Sequence, residues 1–175
     1  WSKAKNFNVY DIAGNKFIDF TSTIFVANTG HSNNRIKKYI SRSLNTNLIH
    51  SYAYINKIRA EYLEKLIKFC GKGFEKAFLM SAGTEATEAA FKLMRMYGQK
   101  KKKRNLGIIC FEGNWHGRTM GAQLMSGNYD QKKWIGFNDK DIHHIEFPYP
   151  WTIKNDNPEE FFLKSIHSLI LASKL

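Results

Sequence analysis

Apolar and polar positions alternate along this chain in two rhythms. Residues 77–80 are apolar without polar alternation, which predicts a short strand buried on both faces. Ser81, Ala82, Gly83 and Thr84 make a turn. From Glu85 onward Ala86, Ala89, Ala90, Leu93, Met94 and Tyr97 recur at helical spacing, ending near Gly98. Residues 106–111 are a further apolar run and predict a strand, and residues 142–147 read as another strand. Earlier in the chain, residues 9–11 and 16–20 flank Ala13, Gly14 and Asn15, the pattern of a hairpin. Residues 33–44 read as a helix. Residues 57–70 form an amphipathic helix stopped by Gly71 and Gly73. Residues 120–128 predict a helix or extended turn, residues 129–140 a surface loop, and a last helix starts at Asn157. Strand and helix alternate after residue 75, which predicts parallel βα units and an α/β fold.

Composition narrows the class. Hydrophobic residues make up 43% of the 175, as in a globular chain. No apolar run approaches the roughly 20 residues of a membrane span, and no signal-peptide pattern is visible. The two cysteines, Cys70 and Cys110, are isolated in sequence and read as reduced thiols in a cytoplasmic compartment. His143 and His144 are adjacent on a predicted strand, so they point to opposite faces and make no metal pair. The net charge of +12 raises nucleic acid as a partner. Its densest run, residues 100–104, falls in a connecting loop, and no recognition motif accompanies it, so neither nucleic acid nor membrane is expected as a partner.

Chemistry concentrates at the 81–84 turn. A strand entering a helix through small residues leaves the first helical N–H groups free to bind an anion, with Thr84 as an added donor. The same residues also suit a helix merely capped by Thr84. No Lys follows the turn as in Walker loops, and the dinucleotide glycine pattern is absent, which disfavours a non-catalytic nucleotide-binding module. A second stretch follows the 106–111 run: Glu112, Gly113, Asn114, Trp115, His116, Gly117, Arg118 and Thr119.

Together the two motifs resemble the class III (ornithine/4-aminobutyrate-type) pyridoxal-phosphate aminotransferases, and the hairpin pattern matches as well. The resemblance implies the PLP-dependent transferase fold type I, preceded by an N-terminal hairpin and helix segment. It implies that Gly83 and Thr84 grip the phosphate of pyridoxal 5'-phosphate and that Trp115 stacks on its ring, with His116 orienting the loop. Ala82 stands where the family has Ser, and Trp115 where it more often has Tyr or Phe. Tyr52 and Tyr54 lie in a loop that in relatives approaches substrate. His31 is expected to be structural. The Schiff-base lysine and the Asp paired with the ring nitrogen are expected beyond Leu175, so no catalytic residue is assigned here. Lys174 falls too early for that role.

With no initiator Met, the chain reads as the N-terminal part of such an enzyme. Residues 1–56 would be an N-terminal segment belonging to the small domain and interface, and residues 57–175 the first part of the large domain. The implied reaction moves an amino group from an amino acid, ω-amino acid or diamine to a 2-oxo acid, in a homodimer. A glutamate-semialdehyde-type aminomutase of the same fold is the alternative. Without the rest of the sheet, unpaired edges and exposed apolar surface are expected, leaving the isolated chain poorly soluble and inactive.

Overall fold

A computed structural model describes residues 1–102, 106–151, 153 and 157–173. The chain forms two compact units, Trp1–Ala77 and Phe78–Leu175. The first includes the helix over Lys57–Cys70.

The first unit opens with a three-stranded antiparallel meander, β1 (Lys3–Lys5), β2 (Asn8–Tyr10) and β3 (Lys16–Ile18), in that spatial order. Val9 is its buried centre, paired with Ala4 on one side and Phe17 on the other. The expected hairpin is present. Asp11 closes it by accepting from the N–H groups of Ala13 and Asn15, each at 2.9 Å, while Gly14 takes φ +87°.

The next element was not legible in the sequence. Ser22–Phe25 (α1) is a left-handed turn in which all four residues have φ between +46° and +66°. L-residues resist this geometry by roughly 1–2 kcal/mol each. Asp19 holds it, accepting from Thr21 N (3.0 Å), Thr21 Oγ1 (2.8 Å) and Thr23 N (3.1 Å). His31 Nε2 lies 2.8 Å from the same carboxylate, whose side chain is only 2% exposed. The hydrogen bond from His31, reinforced by those of Thr21, holds the Asp19 carboxyl down at about 2. His31 thus has a structural partner, as expected.

Helices α2 (Asn34–Leu44) and α3 (Lys57–Cys70) start on asparagine caps. Asn33 accepts from Arg35 N and Ile36 N, and Asn56 from Ile58 N and Arg59 N. Gly71, at φ +83°, closes α3. Neither helix buries a residue.

The second unit departs from expectation at its start. Residues 77–80 form no strand, and Phe78 is 78% exposed. A strand buried on both faces needs a pairing neighbour and a layer on each side, and neither reaches these residues among those described. Helix α4 (Gly83–Lys100) follows. β4 (Ile108–Phe111) pairs in parallel with β5 (Ile142–Ile145), Cys110 lying opposite His144, so the expected parallel arrangement is present. Ile108, Cys110 and Met125 form the core, with Phe91 and Ile142 packed against it.

Between the strands, α5 (Met120–Met125) buries Ala122, Gln123, Leu124 and Met125. The expected loop after it is instead helical, α6 (Tyr129–Lys132) and a 3-10 turn at Lys133–Ile135. It is pinned because Trp134 Nε1 donates to Gln123 Oε1 at 2.6 Å and Gln123 Nε2 donates to Gln131 O at 2.6 Å. Arg95 of α4 pairs with Asp139 (3.1 Å) and Asp141 (3.3 Å), tying that helix to the entry of β5. Asn157 caps α7 (Pro158–Ser173). Lys103 and Arg104 of the basic run, and Lys174, lie outside the described residues. Among the described residues no helix is long and apolar enough to cross a membrane, and no group of three metal-ligating side chains occurs.

Candidate cofactor site

Helix α4 begins with an open N-terminus. Its N-cap, Ala82, offers no side-chain hydrogen bond, so the cap that Thr84 could have supplied is not the arrangement found. Glu85 instead reaches back to accept from Ser81 N at 3.0 Å, which shapes the turn and leaves the first helical N–H groups directed outward. A Cβ added at Gly83 would meet nothing within 4 Å. Thr87, one turn on, donates to Gly83 O at 3.1 Å.

The other motif leaves β4 at Phe111 and loops to α5. His116 is fixed through its backbone, with its N–H donating to Ser126 Oγ at 3.0 Å. Ser126 is 1% exposed and donates in turn to Ala122 O. The His116 ring lies 2.7 Å, Nε2 to Nδ2, from Asn114. Trp115 stays 56% exposed, with the Arg118 guanidinium 5.4 Å over its ring. At φ +130°, Gly117 runs against Thr84.

One cavity of about 360 Å³ joins the two motifs. Its lining is Ala82, Gly83, Thr84, Thr87, Trp115 and His116. All four residues expected at the cofactor therefore meet there. The size lies within the range of small-ligand pockets, roughly 300–1,000 Å³. A helix N-terminus at one end and an indole and imidazole at the other match an anionic group joined to a flat ring, so the residues present fit pyridoxal phosphate. Tyr52 and Tyr54 sit in the first unit, 92% and 79% exposed. Their carbonyls accept from the Arg59 guanidinium, and neither residue lines this cavity.

Behind the loop lies a polar cluster that sequence reasoning missed. Lys132 Nζ donates to Leu124 O (3.3 Å) and Ser126 O (3.0 Å). His144 Nε2 lies 3.1 Å from both Met125 O and Ser126 O, so that nitrogen carries the proton. Burial lowers the pKa of Lys132. Burial, then the Lys132 charge, lowers that of His144. Burial raises the Cys110 thiol. Thr87 was within reach of the sequence, lying three residues beyond Thr84 on the same helical face. Ser126 and Lys132 gave no local signal.

The sequence pattern of the family described as Aminotransferase class-III matches residues 1–174. The chain belongs to that family. It is similar to the mitochondrial acetylornithine aminotransferase of Saccharomyces cerevisiae, 34% identical over 152 residues, covering 83% of this chain and 35% of that protein. The ornithine aminotransferase of the same yeast is 36% identical over 134 residues, covering 75% of this chain and 31% of that protein. The chain thus spans about a third of the length of these curated relatives. Among solved structures, the taurine:2-oxoglutarate aminotransferase of Bifidobacterium kashiwanohense, in complex with PLP and glutamate, superposes with a TM-score of 0.82. At 20% identity, over 99% of this chain and 39% of that one, it shows the shared fold.

Proposed function

We propose that Ala82, Gly83 and Thr84 hold the phosphate of pyridoxal 5'-phosphate and that Trp115 and His116 form the wall against its ring. The protein would move an amino group from an amino acid, ω-amino acid or diamine to a 2-oxo acid. The observation that carries this is the single cavity uniting both motifs. When bound, the cofactor supplies an electron sink for the carbon bearing the amino group. The chain's own residues do the holding. Free N–H groups of α4 and the Thr84 hydroxyl meet the phosphate, each charge-assisted bond contributing roughly 1.5–3 kcal/mol. The Trp115 indole covers one ring face, and Ser126 keeps His116 in register behind it.

The names of the two yeast relatives support ornithine or its acetylated form as amino donor. The lysine and carboxylate that complete the chemistry belong, in this reading, to the part of the relatives' length that the chain does not span. A homodimer in the cytoplasm is part of the same proposal. The test is an absorbance spectrum of the intact protein with pyridoxal phosphate added, then borohydride. A near-visible band trapped covalently on one lysine is expected. A folded protein that shows no band would overturn the reading.

A further inference from the structure

Glu88 lies one turn beyond Thr84 on α4, on the same face. It is half-buried and does not line the cavity. Its Oε1 accepts from Thr119 Oγ1 at 2.5 Å and from Ala122 N at 3.0 Å. Thr119 is the N-cap of α5 but makes no side-chain cap to its own helix, so Glu88 satisfies the start of α5 from outside. A Cβ at Gly121 would fall 3.0 Å from the Glu88 carboxyl carbon, so the carboxylate rests directly on that helix start. The loop bearing Trp115 is therefore held at two points, by Ser126 at His116 and by Glu88 at Thr119.

We propose that Glu88 is a positioning residue that sets the spacing between the phosphate turn and the Trp115–His116 wall, an inference that rests on the cofactor reading above. One rigid helix carries both the turn, at its first residues, and the brace, at Glu88. An anion alone needs only the turn. A phosphate joined to a ring needs the turn and the wall at a fixed separation. Loss of the brace should therefore weaken binding of the joined molecule and spare binding of the anion.

The test titrates the intact protein, freed of cofactor, with pyridoxal phosphate and separately with inorganic phosphate. It follows calorimetric affinity and the circular dichroism of the bound chromophore. Glu88→Ala should lower pyridoxal phosphate affinity on the order of 10-fold or more and diminish the induced dichroism, with phosphate affinity within about twofold of wild type. Glu88→Gln keeps one oxygen able to accept both hydrogen bonds and should restore affinity and dichroism. Thr119→Val, which removes only the hydroxyl donor, should move in the direction of Glu88→Ala and carries the test if that variant does not fold. Equal loss for both ligands, no loss for either, or failure of Glu88→Gln to restore binding overturns the inference. If the wild-type protein takes up no pyridoxal phosphate, the cofactor reading itself fails, and this inference with it.

Discussion

Gly117 and Thr84 touch so closely that no side chain fits between them. A Cβ at Gly117 would lie 2.8 Å from Thr84 Cβ and Cγ2, and Gly117 adopts φ +130°, which L side chains rarely take. The contact joins the two motifs at the cavity. Gly117→Ala is therefore expected to destabilise the protein by about 1–3 kcal/mol and to weaken pyridoxal phosphate binding as well. Thermal unfolding with and without cofactor measures both.

Gly83 is the opposite case. Space around its missing side chain is open, and its backbone is not left-handed. In this reading the open space is where the phosphate sits. Gly83→Ala should leave the cofactor-free protein as stable as wild type, or more stable by up to about 1 kcal/mol, because Ala favours a helix over Gly. Its pyridoxal phosphate affinity should fall about tenfold. A stability loss without an affinity loss would show that Gly83 serves folding and not the ligand.

The contrast bears on what the sequence made legible. Local patterns announced local structure. The hairpin turn at Ala13–Asn15, the helices over residues 33–44 and 57–70 and the Gly71 stop all rest on patterns a few residues long, and all are present. Phe78, Leu79 and Met80 form no strand, because a buried strand is defined by its neighbours and an apolar pattern carries no record of where those neighbours come from. The cavity was legible in its four named residues because two motifs with separate chemistry met there. Its bracing was not. In the sequence Glu88 is a polar residue within the predicted helix that follows the 81–84 turn, and Ser126 falls in the 120–128 segment. Their roles depend on contacts 31 and 10 residues distant in sequence.

Ile24 carries backbone strain. It is β-branched, stands at φ +56° inside the left-handed turn, and is 77% exposed. Its neighbour Thr23 is held through Asp19, whereas the Ile24 side chain makes no hydrogen bond. Ile24→Gly should raise the unfolding free energy by about 1 kcal/mol, the cost that a left-handed L-residue bears. Denaturant unfolding checks it. A loss of stability would show that the side chain, despite its exposure, packs usefully.

His144 makes stability depend on pH beside the loop that carries Trp115 and His116. Burial, then the nearby Lys132 charge, lowers its pKa from the ordinary 6.5, opposed by its hydrogen bonds to the Met125 and Ser126 carbonyls and by the Glu112 charge, while Cys110 faces it across the strand pair. A lowered pKa means that the folded state resists a proton that the unfolded chain accepts at 6.5. The stabilising contribution is complete above that pH and is lost as pH falls through 6.5 toward the lower folded value. Its Nε2–H still donates to the carbonyls of Met125 and Ser126, next to the hydroxyl that fixes His116. Protonation therefore loads charge beside Lys132 at the base of the Trp115 loop. His144→Gln should flatten the stability slope in the window where pH falls through 6.5 toward the lower folded value, whatever its effect on stability at higher pH. Unfolding midpoints measured across that window decide it, and an unchanged slope would assign the proton uptake to another group.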